Sequence, residues 1–501
     1  MKNKTGVCRA LLLVGMGLMI PCYLFTAGNT LLSPWPLYDR NRLALCLLTP
    51  LCLLLLLLLG RAAKAKVFET HERAVLLGFA AFYFVIQLVM ASAPRFTPVT
   101  DLEQCVTAAR RLAQTGAFGD SERSLIYFGR YPHNMGLVYL LAGIFKAADA
   151  LGADALMAAA LVCGLLFSMG LLCAARLCRR LGGAQAQARA LLLFATCLPF
   201  LYCTSELYTD AFSVAFAPII VFAFLKARDA GSRKERSLWA LLFAVCTFFG
   251  AQIRFPTIIA AIACLIAALF EKRAKLTALL AAPLALVFAV GGSAVNAANK
   301  ANLGAANIAQ NKLPKLHYIA MGLPVQSDEG YGQYGYGGWL IFSTSFDDPQ
   351  ARDEALRQEV VDRAYTLAHH PAQLLSTLSR KNLSTFGRGT FNLNEIFEAD
   401  AHEADNAVKQ AVFENGRFNR AYTHLATAMF VAQMALACIA CIQAIRRRDT
   451  HAAPLFLTLL GAFLFLSIWE TRARYFFQFM MILLCAGAMF ETPSTHAAQK
   501  A

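Results

Sequence analysis

Apolar runs long enough to cross a lipid bilayer recur along this chain, and that recurrence constrains the fold more than any other feature. A transmembrane helix needs roughly 17–25 apolar residues. Runs of this kind lie at about 10–27, 43–60, 74–93, 155–174, 189–205, 209–225, 237–252, 255–270, 276–295, 421–445, 453–469 and 474–491. Backbone groups in lipid must bond within their own segment, so each run is expected to be a helix. Only 15% of residues are charged and 58% are hydrophobic, whereas soluble domains carry about 25% charged residues. The chain is therefore predicted to be an all-α polytopic membrane protein with about twelve transmembrane helices.

Charge orients the helices. The formal net charge is +15, and the basic residues fall in short loops between apolar runs: Arg61 to Arg73, Arg176 to Arg189, Lys226 to Arg236, Lys272 to Lys275 and Arg446 to Arg448. That is the positive-inside pattern and not a phosphate-tracking face, so no nucleic-acid partner is expected. With twelve spans, every one of these loops and both termini face the cytoplasm. This requires the stretch 136–151, short and holding Lys146 and Asp149, to lie at the outer interface and not to cross. The first apolar run follows Lys2, Lys4 and Arg9 without a small-residue cleavage site and reads as a retained helix. Most of the fifteen cysteines sit inside apolar runs, and the one CxxC, Cys438 to Cys441, has no second pair beside it. Neither a disulfide framework, a redox motif nor a zinc site is expected, and no cofactor or metal is implied.

The chain then divides into an N-terminal hairpin with a cytoplasmic loop (1–73), a transmembrane module (74–295) whose first outer loop covers 94–153, an outer cap (296–420), and C-terminal helices (421–501). A connection as long as 296–420 is expected to fold or rest on the membrane. Within it Asp347–Leu378 has helical spacing among charges, and Tyr331 to Trp339 is a glycine- and tyrosine-rich loop that either stacks on sugar rings or packs on the cap.

The helix interiors hold almost no ionised groups, and the conspicuous polar residues gather at the outer ends. Ion-coupled transporters place charged sites near the midplane instead. Asp101, just after a span and followed by Glu103, is placed to take a proton from an acceptor hydroxyl or, alternatively, to cap the helix that follows. Tyr131-Pro132-His133-Asn134 either positions a sugar or phosphate or simply starts the interfacial helix. Asp210, after Tyr208-Thr209, is a substrate ligand or a turn residue. Arginines at outer helix ends are disfavoured, so Arg472 and Arg474, beside Glu470 and Tyr475, point to an anionic partner such as a lipid phosphate, or else to snorkelling toward headgroups. Arg254 has the same two readings, and Lys381, with Arg388 further on, extends the basic rim.

Together these segments resemble the GT-C superfamily of integral-membrane glycosyltransferases, the group of the protein O-mannosyltransferases and aminoarabinose transferases. Phe96-Thr-Pro-Val-Thr-Asp101 is similar to the family's acid-bearing first outer loop. Tyr131-Pro132-His133-Asn134-Met-Gly136 is similar to the start of its second juxtamembrane helix, Tyr208-Thr209-Asp210 to its acid at a later outer helix end, and Glu470–Tyr475 to its late Arg/Tyr segment. The resemblance implies a GT-C-like fold and a polyprenyl-phosphate-linked sugar as donor. It also implies Asp101 as base and transfer, with inversion, to an extracytoplasmic glycan, lipid or protein. Two departures stand out: two additional N-terminal spans, and Asp101 and Glu103 separated by Leu102 where the O-mannosyltransferases have an adjacent Asp-Glu pair. A transporter or flippase of lipid-linked sugars, or a surface-glycan polymerase or ligase, would use the same basic rim.

Overall fold

A computed structural model describes residues 2–33, 41–63, 65–92, 98–119, 121–326, 329–393, 410–411 and 416–491, with side chains 2–5 and 65–68 left aside. Phe96 and Thr97 of the first outer loop, and 394–409 and 412–415 of the expected cap, lie outside them. Among the described residues the protein is all helical. In chain order the helices are α1 (Lys2–Gly17), α2 (Met19–Leu32), α3 (Arg42–Ala62), α4 (Ala65–Ser92), α5 (Thr100–Thr115), α6 (Glu122–Arg130), α7 (Met135–Ala150) and α8 (Ala155–Ala195). Then come α9 (Thr209–Ser213), α10 (Phe216–Asp229), α11 (Arg233–Ile253), α12 (Ile258–Phe270), α13 (Ala274–Leu303), α14 (Ala305–Asn311), α15 (Lys315–Gly322), α16 (Trp339–Thr344), α17 (Pro349–His369) and α18 (Pro371–Phe386). The chain closes with α19 (Asn419–Arg446), α20 (Ala453–Ile468), α21 (Arg474–Phe477) and α22 (Met480–Ala488).

Eight helical stretches are long and apolar enough to cross a membrane: Gly6–Leu32, Arg42–Ala62, Glu69–Ser92, Ala155–Ala195, Thr209–Asp229, Arg233–Ile253, Ala274–Leu303 and Asn419–Arg446. Phe255–Phe270 and Ala453–Ile468 are apolar but shorter. The stretch expected at the interface, α7, is not among them, and it buries one face against α5 and α8.

The 41-residue α8 is a hairpin and not a rod. Ser168 donates to the Ala80 carbonyl at 3.2 Å, and Tyr83 donates to the Phe194 carbonyl at 3.0 Å. A straight helix would set residues 168 and 194 about 39 Å apart, too far for both to meet one turn of α4. Nearer the bend, Arg179 and Gln187 both reach Glu72, at 3.4 and 3.0 Å. The reversal falls at Gly182-Gly183, where Gly183 has φ 73° and ψ −169°, a region open essentially to glycine alone. The first arm covers the run expected at 155–174; the second ends at Ala195, and the rest of the run expected at 189–205 forms 3-10 turns at Leu198–Leu201 and Cys203–Glu206.

Local sequence starts several helices. Asn41, Asp154, Ser232 and Asp348 each accept a backbone N–H of the first turn through their side chains, which satisfies donors that have no partner inside the helix. The stretch expected to be one helix over Asp347–Leu378 is two, α17 and α18. They break at His370-Pro371, because proline disfavours helical backbone in the residue before it. The main core joins α1–α4, α8, α10–α12, α19, α20 and α22. A second cluster ties α5 and α7 to the first arm of α8. A third lies within the expected cap around Tyr318, Met321, Trp339 and Leu356. There Arg363 lies over the Trp339 ring at 4.4 Å and pairs with Glu329, which also accepts from the Val325 and Gln326 amides.

Candidate functional site

The helices carry polar residues to opposite ends of the bundle. At one end the basic loops are cross-tied: Arg61 pairs with Glu491 at 2.9 Å, Arg180 with Asp229 at 2.6 Å, and Arg228 with Glu271 at 3.7 Å. α11 starts among these loops and ends at Arg254, and α20 starts beyond Arg446–Arg448 and ends at Trp469 and Glu470. Helix direction therefore delivers Arg254 and the Glu470–Tyr475 segment to the other end, beside α5 and α9.

At that end Asp101 projects from the first turn of α5. It does not cap the helix. Its N-cap position is Val99, without a side-chain cap, and its oxygens go to phenols instead. Tyr127 donates to Oδ1 at 2.8 Å, and Tyr208 donates to Oδ2 at 3.5 Å. Asn134 donates to the Tyr127 hydroxyl at 3.0 Å, which fixes that phenol in turn. The Asp101 side chain retains 42% of its exposure, so it faces open space while two phenols and an arginine hold its orientation.

Asp210 is its buried counterpart. It is fully enclosed between Arg254, whose Nη2 lies 3.0 Å away, and Arg474, whose Nε lies 3.5 Å away. Arg474 also stands 3.8 Å from Asp101, and Arg254 donates to the Thr209 hydroxyl. Two of the arginines expected to seek an external anion, Arg254 and Arg474, therefore already meet carboxylates of the chain, and this is what allows them to sit below the surface. The guanidiniums also lie over aromatic faces, Arg254 over Tyr475 at 4.4 Å and Arg474 over Tyr208 at 5.4 Å.

The Tyr475 hydroxyl donates to Glu470. Burial pushes the Glu470 carboxyl up to about 7, although Arg472, Arg474 and Arg254 pull against the shift. Lys381 is not on an exposed rim as expected. It is 2% exposed, and its ammonium donates to the carbonyls of Gly322 and, at 2.6 Å, Trp469. Burial brings it down to about 7. His133 is exposed, with its ring edge-on to those of Tyr131 and Tyr318. The protein around it and the Arg254 charge hold its imidazole down to about 4, neutral at physiological pH, so it suits a sugar hydroxyl better than a phosphate. Arg388 bonds Asn392 inside the protein at 2.9 Å, and Glu103 points outward from α5; neither joins the cluster.

Tyr127 has no counterpart in the sequence reading, and Tyr334 enters it only as part of the loop at Tyr331 to Trp339. Tyr127 shares one helical face with Tyr131, and that i, i+4 spacing leading to Asn134 was the available signal. Tyr334 belongs to the glycine-rich loop, which packs onto the site itself. Its hydroxyl meets that of Tyr131 at 2.6 Å, its carbonyl accepts from Arg472 at 3.1 Å, and the neighbouring Gly332 carbonyl accepts from the Thr471 amide at 2.8 Å. Gly330, Gly332, Gly335, Gly337 and Gly338 all have positive φ, which lets this strap turn tightly enough to lie across the Glu470–Tyr475 segment.

A family described as conserved hypothetical integral membrane protein matches residues 42–495. The chain belongs to that family. No curated protein and no solved structure matches the chain. Family membership agrees with the helical, multi-span architecture and covers both Asp101 and the Glu470–Tyr475 segment. Among the described residues no group of three or more His, Cys, Asp or Glu side chains is arranged to hold a metal ion.

Proposed function

We propose that this protein is a membrane glycosyltransferase of GT-C type. On this reading it moves a sugar from a polyprenyl phosphate to a hydroxyl acceptor on the extracytoplasmic side, with inversion. The observation that carries the reading is Asp101: a carboxylate open to substrate, oriented by Tyr127 and Tyr208, and flanked by the buried Arg474–Asp210–Arg254 cluster. A general base needs reach and fixed geometry, and a departing phosphate needs preorganised positive charge. Both lie side by side, 3.8 Å apart at Arg474 and Asp101.

In the proposed reaction the acceptor hydroxyl gives its proton to Asp101 and its oxygen attacks the anomeric carbon. The bond from that carbon to the phosphate oxygen breaks, and the electron pair leaves with the polyprenyl phosphate. Arg474 and Arg472 face the developing negative charge. Neutral His133, Asn134 and the tyrosines supply hydrogen bonds to sugar hydroxyls, and no cofactor takes part.

The topology that serves this chemistry has twelve crossings. The long apolar helices, with α8 counted as a hairpin, the two shorter ones and segment 474–491 account for them. The basic loops and both termini then face the cytoplasm, and residues 94–153 and 296–420 lie outside. The reading is tested in proteoliposomes with a panel of polyprenyl-phosphate sugars and labelled acceptors. Transfer that Asp101→Asn abolishes supports it. Movement of the lipid-linked sugar between leaflets without transfer replaces it with the flippase.

A further inference from the structure

A cavity of about 120 Å³ opens beside the site, between α2, α18 and α20. Its walls include Phe25 of α2, Leu378 and Phe386 of α18, and Phe463, Leu464 and Leu466 of α20. It has an apolar side and a charged end. Leu464 on its wall is 58% exposed on the apolar helix α20, and Leu24 of α2, next to the lining Phe25, is 63% exposed, so this side opens toward lipid chains. Lys381 lies on its wall, and the ammonium of Lys381 reaches the Trp469 carbonyl, one residue from Glu470. Cavity and candidate site are thus adjacent, with a lysine at the junction.

That lysine is a second indication. Lys381 is buried and bonds two backbone carbonyls, and the Glu470 carboxylate acts on it only from beyond direct ion-pair contact. A buried ammonium without a counter-ion is costly, and an anion arriving beside it would relieve that cost. An occupant matching both ends carries a hydrocarbon chain on one side and a negative head on the other.

We infer that this cavity seats the phosphate-proximal part of a polyprenyl phosphate chain. The chain enters sideways from the outer leaflet between α2 and α20, and its phosphate passes Lys381 to reach Arg474. This rests on the proposed transferase reading and adds a role for the N-terminal spans. α2 is held to α18 by a polar zipper, with Asn382 donating to Thr26 at 2.8 Å and Ser379 to Asn29 at 2.6 Å. The N-terminal hairpin thereby becomes one wall of the donor seat. α2 also precedes residue 42, where the family match begins, so this wall lies outside the matched region.

The test uses the full chain in nanodiscs of phosphatidylethanolamine and phosphatidylglycerol, with a polyprenyl phosphate carrying a benzophenone near its phosphate end. After photolysis, adducts are expected on peptides containing 22–25, 378–386 and 463–467. About a tenfold excess of unlabelled polyprenyl phosphate should lower their yield about tenfold, as expected for a competitor of equal affinity at a saturable seat, and uncharged polyprenol should not. Leu464→Trp, which fills the exposed mouth, should remove the adduct while the protein remains folded. Adducts spread over other helices, or insensitive to the phosphate competitor, would overturn the seat and leave only annular lipid. A competed adduct in a protein that transfers no sugar keeps the seat and removes the transferase. Transfer without an adduct there does the reverse.

Discussion

The guanidinium of Arg474 lies 3.8 Å from the carboxylate of Asp101 and joins the last outer segment of the chain to the first. The same group reaches the buried Asp210 at 3.5 Å. One arginine thus couples an exposed acid suited to proton transfer with an enclosed acid suited only to holding charge in place.

Asp101→Asn should abolish sugar transfer. Asparagine keeps the size, and its one carbonyl oxygen still accepts from Tyr127, but it cannot take up a proton, and loss of a general base costs about 10²–10⁴ in rate. Donor binding, measured by displacement of labelled polyprenyl phosphate, should change little. Wild-type turnover in this variant would remove Asp101 as the base.

Asp210→Asn should destabilise the protein without needing any substrate to reveal it. It leaves Arg254 and Arg474 short of a buried counter-charge, and breaking such a pair costs about 3–5 kcal/mol. Thermal unfolding in detergent should show a clear drop in Tm for Asp210→Asn, and Asp101→Asn should show little. Equal Tm values would mean that the triad is not the support it looks to be.

Glu470 should make stability and donor affinity fall as pH rises through neutrality. An unfolded glutamate titrates near 4.3, whereas burial holds this one at about 7. The stabilising contribution is therefore complete below about pH 4 and lost as pH passes 7. Above that, a new negative charge also opposes an anionic donor. Glu470→Gln, neutral throughout, should flatten the rise in donor KM between pH 6 and 8, and a profile unchanged from wild type would contradict this.

Tyr334→Phe should loosen the strap. It removes one hydroxyl contact with Tyr131, worth about 1 kcal/mol. Gly332→Ala acts on the backbone: φ is 77°, and an added Cβ would lie 3.1 Å from the Met321 carbonyl. Protease cleavage between 329 and 338 should quicken in both variants, more so in Gly332→Ala. Identical cleavage rates would show that the strap is not held by these contacts.

Much of this arrangement was legible in the sequence. Hydropathy located the eight helical stretches long and apolar enough to cross a membrane, and loop charge separated the two ends, because both are local and additive along the chain. The same reasoning singled out Asp101, Asp210, Arg254 and the Glu470–Tyr475 segment, since polar groups at helix ends stand out against hydrocarbon. What hydropathy could not supply was pairing. That Arg474 belongs to two carboxylates, that Tyr127 and not a backbone amide holds Asp101, and that Lys381 turns inward to the Trp469 carbonyl are long-range facts set by packing. The glycine-rich loop was readable as a surface feature or a sugar platform, and only its contacts with Tyr131 and Arg472 give it a place.

Thr100 and Leu207, the residues that lead into Asp101 and the Tyr208–Asp210 segment, have φ of 52° and 46°. A branched or bulky side chain in that region raises the local energy by about 1–3 kcal/mol. Neither acid is therefore aimed by its own stretch of chain; each is held in an uphill conformation by helices that close around it. Heat or harsh detergent that only loosens those helices would let both backbones relax before any helix melts. The site would then fail as a molecular fuse, with the proposed transfer gone while the circular dichroism of the bundle still reads native.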